Sequence, residues 1–265
     1  MRSSKNRPVG DDMRRIGGWA AAVLAGTFVF GIALFATVLG EYTEEGLAAA
    51  DAVAFLQDHQ IALHSWYIVT LIVFGLALVP VVLALHRRVG ASSSLVRIAT
   101  VFGLIWSGLV LGAGMIANVG VSAVAEAAEN DAAAARSLWS ALDAVQNGLG
   151  GGNEVVGGAW VLLISVAAFR AGSLPRPLNV LGAAAGVAGL VTVVPGLTAM
   201  ELVFCRGVIA GFVGVAASLL RGGPAPSTRS RSEWTAPGPL PLSLPGRRTS
   251  VVPSGSPGRA LGRRG

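Results

Sequence analysis

Long apolar runs separated by short polar punctuation dominate this chain. A helix needs about 20 apolar residues, at about 1.5 Å each, to cross about 30 Å of hydrocarbon. Six stretches approach or exceed that length: 16–40, 61–85, 96–121, 154–169, 178–200 and 202–220. Most are apolar on every face, as helices surrounded by lipid are, rather than striped like helices on a water-soluble core. The pattern predicts an all-α, polytopic transmembrane bundle of six spans occupying residues 16–221, after a basic arm at 1–15.

Two polar intervals carry helical spacing of their own. After the first span, Thr43 is placed to cap a short helix that starts with Glu44 and Glu45, where carboxylates suit the helix dipole. Leu47, Ala50, Ala54 and Ile61 would share its face, which runs to about Gln60. Between spans three and four, Asn130 is the expected cap, followed by Leu138, Trp139, Leu142 and Val145 at helical spacing. Both segments are expected to lie at the outer membrane surface or to pack on the bundle as a lid. The glycines at 148 and 150–152 mark a hinge before span four. Residues 222–265 hold eight of the thirteen prolines and show no periodicity, so they predict a disordered tail.

Charge orients the ladder. Eighteen of the twenty Lys and Arg residues fall on one side: the N-terminal arm, the segment with Arg87, Arg88 and Arg97, the turn with Arg170 and Arg176, and the tail. Eleven of the fourteen Asp and Glu residues fall on the other. Short basic loops stay cytoplasmic, which predicts both termini inside and a multi-pass protein of the bacterial cytoplasmic membrane. The first apolar run exceeds a signal-peptide core and lacks a clear cleavage site, so it reads as an uncleaved anchor. Only 13% of residues are charged, about half the share of a soluble domain. The net charge of +6 sits beside apolar runs and in the tail, without interleaved aromatics. It therefore points to anionic lipid headgroups as partners and not to nucleic acid. Cys205 is the only cysteine, which excludes an internal disulfide and a thiolate metal cluster.

Without a hydrophobic drive inside lipid, helices associate through small residues. Gly108 with Gly112, Gly182 with Gly186, and Gly207 with Gly211 each make a flat face, which places spans three, five and six in the tightest contacts. Pro80 and Pro195 break the second helix of each three-helix half. That is a pattern inverted repeats show but low complexity also produces.

Candidate chemistry gathers at one depth. Counted from the basic ends, Glu154 lies about 24 Å from Arg170 and Arg206 about 22 Å from Arg221. Two readings follow: the charges turn inward and pair, directly or through water, or Arg206 snorkels to the outer interface. His64, Asn118, Asn153 and Glu201 share that level and complete a candidate polar binding cluster. His59 and His64 are five apart and do not share a helix face, so no metal is expected, and no cofactor motif is present. No nucleophile–base set or phosphate loop is evident. The central levels carry only Thr70, Ser107, Ser165 and Thr192.

The chain resembles the bacterial membrane proteins grouped as domain of unknown function 4386. The likeness begins at Arg14-Arg15-Ile16-Gly17-Gly18. It is clearest at Gly151-Gly152-Asn153-Glu154, Gly157-Gly158-Ala159-Trp160, Phe169-Arg170, Ser173-Leu174-Pro175-Arg176 and Asn179-Val180-Leu181-Gly182. It spans residues 14–221 and implies a six-helix bundle without an assigned reaction, so it supplies no catalytic residues. The expected function is that of a non-catalytic structural or interaction protein. A small-solute or ion transporter using the outer cluster, and a membrane enzyme acting on lipid, are the alternatives.

Overall fold

The computed structural model describes residues 9–221, apart from 41, 43–46, 151–152, 195 and 198. The side chains of Val9, Asn147 and Asn153 also lie outside that description, as do the expected cap Thr43 and the tail at 222–265. Every regular element among the described residues is helical. They are α1 (Val9–Leu34), α2 (Ala49–Asp58), α3 (Gln60–Tyr67), α4 (Phe74–Val89), α5 (Ser94–Asn130), α6 (Ala132–Gly150), α7 (Asn153–Ala171), α8 (Arg176–Val191) and α9 (Met200–Leu220). A π-helical turn, Phe35–Leu39, continues α1, and another, Ile68–Val73, joins α3 to α4 as one rod.

Five rods are long and apolar enough to cross a membrane: Asp11–Leu39, Gln60–Val89, Ser94–Asn130, Glu154–Ala171 and Met200–Leu220. The expected fifth span is the exception. Helix α8 stops at Val191 after 16 residues, about 24 Å, instead of running to Met200. Pro195 has no N–H for the carbonyl of Val191, Val194 N–H bonds that carbonyl instead at 3.0 Å, and Gly196 turns the chain at φ 88°. The start of the bundle also differs: α1 begins at Val9, so Arg14 and Arg15 ride on the helix rather than in an arm.

The six long elements form a closed ring in which α1 packs on α4, α4 on α5, α5 on α7, α7 on α8, α8 on α9 and α9 back on α1. Aromatic side chains fill its axis. Phe74 lies 5.7 Å from Phe28, 5.5 Å from Trp106 and 5.9 Å from Phe212, centroid to centroid. Trp160 lies 5.6 Å from Trp106, and Phe204 lies 6.2 Å from it. These are the separations at which edge and tilted aromatic pairs attract.

Close packing falls where glycines let backbones meet. A Cβ on Gly186 would sit 2.6 Å from Leu162 N and 2.8 Å from Gly158 O, and one on Gly207 would meet Ala185. Gly108, Gly112 and Gly211 instead have nothing within 4 Å of that position. The expected α5 contact through Gly108 and Gly112 is therefore absent among the described residues, and the tightest pair there is α7 with α8. Spacing announces a flat face but not which way it turns.

Helix α5 runs 37 residues, about 55 Å, well past a bilayer's hydrocarbon. Its far end, with α2 and α6, builds a second apolar cluster around Leu39, Val53, Leu56, Tyr67, Val121 and Val124. The two outer helices thus pack as a lid. The helix expected to run to Gln60 breaks at His59, which leaves Ile61 exposed and turns Val53 and Leu56 inward instead of Ala50 and Ala54. Asp131, rather than Asn130, caps α6: its Oδ1 accepts from Ala133 N–H at 2.8 Å and Ala134 N–H at 3.1 Å.

Candidate functional site

The outer polar residues separate into two groups. His64 on α3 and Asn118 on α5 meet directly, with Nδ1 2.8 Å from Asn118 Oδ1. An amide oxygen only accepts, so Nδ1 carries the proton. His64 Nε2 lies 3.3 Å from Ser122 Oγ, one turn further along α5, and with Nδ1 protonated it accepts a hydrogen bond from that hydroxyl. Both ring nitrogens are thereby engaged, which fixes the plane of the imidazole. Sequence depth placed His64 and Asn118 at one level. Ser122 was missed, and its spacing of four from Asn118 was the available signal.

Glu154, Arg206 and Glu201 form no comparable unit. Glu154, in the first turn of α7, is half-buried; Arg206 and Glu201 on α9 are exposed. The expected Glu154–Arg206 ion pair is not formed, and Arg14–Asp11 at 3.3 Å is the ion pair present among the described residues. The reason is azimuth. The buried residues of α9 are Phe204, Gly207, Val208, Phe212, Val215, Ala216 and Leu219, and at 100° per residue Arg206 points to the opposite side. It shares that outward face with Leu202 and Val213, in the position of the snorkelling alternative. Asn153's side chain lies outside the described residues.

The lid adds a polar pocket that the sequence did not reveal. Tyr42, Tyr67, Trp139, Asp143 and Gln146 line a cavity of about 30 Å³ between the lid and α5, room for water rather than for a metabolite. Trp139 Nε1 donates to Tyr42 Oη at 3.0 Å, and Tyr42 stacks on Phe55, which stacks on His59. Burial pushes the Tyr42 phenol above its ordinary range, against the lowering effect of its Trp139 hydrogen bond.

Three of the deeper hydroxyls bond to backbone carbonyls, whereas Trp106 Nε1, buried on the axis, has no partner. Thr70 donates to Trp66 O at 2.7 Å, Ser107 to Gly75 O at 2.7 Å, and Thr192 to Gly189 O at 2.8 Å. No group of three His, Cys, Asp or Glu side chains suited to a metal occurs among the described residues.

Five bilayer-length apolar helices around an aromatic axis point to the class of polytopic helical membrane proteins. Within it, the chain belongs to the family described as Domain of unknown function (DUF4386), whose profile matches residues 18–222. No curated protein and no solved structure matches it.

Proposed function

We propose that this is a non-catalytic integral membrane protein that acts by associating with other membrane components, with its basic end in the cytoplasm. The observation that carries the reading is the filled axis: Phe74, Trp106, Trp160 and Phe212 occupy the position where a transport path would run. The outer surface is correspondingly rich in apolar contact area. One continuous outward stripe of α5 runs through Val101, Leu104, Ile105, Gly108, Met115 and Val119, with Gly112 open beside it.

Site-directed crosslinking in native membranes tests the reading. Single cysteines at Met115→Cys on α5, Val145→Cys on α6 and Val203→Cys on α9 sample three faces in a Cys205→Ser background. One face is expected to give a discrete adduct of fixed mass. Lipid adducts alone at all three, or solute flux into proteoliposomes above that of empty vesicles, would replace association with a different activity.

A further inference from the structure

The basic end of the bundle holds an arrangement that the reading above does not use. Helices α1 and α4 cross closely where Gly17 meets Ala84. One turn further out on each helix, Arg14 and Arg88 stand at the same end of that crossing. Backbone carbonyls steady each one: Arg14 Nη1 donates to Leu219 O on α9, and Arg88 Nε donates to Ser173 O at 3.2 Å in the α7–α8 turn. Arg14 keeps Asp11 as a counter-ion, whereas no carboxylate among the described residues pairs with Arg88. A guanidinium has five N–H groups, so Arg88 retains donors.

A cavity of about 50 Å³ lies immediately inward, between α4, α7, α8 and α9. Leu85, one turn before Arg88, and Leu174, next to the Ser173 whose carbonyl Arg88 bonds, both line it, which places the cation beside the cavity rather than in its wall. The walls are apolar apart from Ser165 and Asn179. Asn179 is 3% exposed; its Nδ2 donates to Leu174 O at 3.1 Å, and its Oδ1 has no partner. Ser173 Oγ, in a residue 5% exposed, has none either.

A cation at the rim, a buried unmatched acceptor just below it and an apolar chamber beyond define an amphiphile in that order: anion, hydrogen-bond donor, alkyl chain. The chamber is narrow, a third of the roughly 150 Å³ apolar cavity that admits benzene, so it takes the upper methylenes of one chain and not two. We infer that this end binds a single-chain anionic phospholipid carrying a free glycerol hydroxyl. Its phosphate rests on Arg88 beside Arg14, its hydroxyl donates to Asn179 Oδ1, and its chain enters along Gly211 and Phe212. Basic pockets between membrane helices commonly hold such headgroups; the unmatched acceptor and narrow chamber select among them.

Native mass spectrometry of the full chain in mild detergent tests this, with lysophosphatidic acid as the probe. Tighter retention, by about tenfold or more, is expected over lysophosphatidylcholine, which is zwitterionic, and over phosphatidic acid, which has two chains and no free hydroxyl. Arg88→Gln should lose that retention. So should Gly211→Leu, which fills the chamber and leaves every polar group in place. Arg97→Gln, an exposed charge away from the cavity, should not. Equal retention of either comparison lipid would overturn the inference, as would wild-type retention by both Arg88→Gln and Gly211→Leu in monodisperse protein. Displacement by millimolar inorganic phosphate would also overturn it, since the site would then serve a soluble anion.

Discussion

Replacing Gly158 with alanine adds one methyl group at the place where α7 and α8 nearly touch. That Cβ would lie 2.7 Å from Gly186 O, 2.9 Å from Leu190 N and 3.0 Å from Gly189 C, all backbone atoms that cannot rotate aside. Restoring ordinary contact requires the helices to part by roughly 0.7 Å, enough to forfeit a quarter or more of each dispersion contact across the seam. Overpacking of this kind costs about 1–3 kcal/mol, offset by about 1 kcal/mol of improved helix propensity. The net expectation is a loss of about 0–2 kcal/mol. Gly108→Ala supplies the reference, because nothing lies within 4 Å of its Cβ position; it should gain about 0.5–1 kcal/mol from propensity alone. Reversible unfolding in mixed micelles, followed by fluorescence of the buried Trp106 and Trp160, reads both. The reasoning fails if Gly158→Ala proves as stable as Gly108→Ala.

Three further outcomes follow from the outer end. A double-mutant cycle on His64→Leu and Asn118→Leu should show a coupling of about 0.5–1.5 kcal/mol. The Glu154→Gln and Arg206→Leu cycle should be additive within about 0.5 kcal/mol; a stronger coupling in unfolding titrations would restore the ion pair. Alkaline titration should loosen the lid first. Since burial raises the Tyr42 phenol in the folded protein, the stabilisation it reflects is complete below the unfolded tyrosine's range and is lost as pH climbs through the folded one. Tyrosinate absorbance should therefore rise together with lid opening measured by hydrogen exchange, and Tyr42→Phe should remove that step.

The features legible in the sequence were those set by length and composition. Five apolar runs sit close to where they were expected because hydrophobic thickness fixes their extent, and the elements around Arg14, Arg88 and Ser173 share one end because the chain alternates between sides. Depth was legible too, as His64 and Asn118 show. Direction around a helix axis was not. Arg206 shares a level with Glu154 yet faces away, and Gly108-x-x-x-Gly112 reads like Gly182-x-x-x-Gly186 although only the second meets a neighbour. Segments that are apolar all round carry no moment from which to infer a facing direction. The early end of α8 was encoded locally in Pro195 and Gly196, but hydropathy averages across such a break.

The brevity of α8 bears on how the protein is made. At 16 residues it spans about 24 Å, less than the hydrocarbon it would have to cross alone, and many of its buried positions are small: Gly182, Ala185, Gly186, Ala188 and Gly189. Such a segment partitions poorly by itself. Helix α7 leaves the ribosome first and presents Gly158, Leu162 and Ser165 as a ready surface. Through them α8 can enter as the second arm of a hairpin turned at Pro175, its backbone meeting protein instead of lipid. Residues that look like inert spacers in the finished bundle would then matter first while it is being assembled.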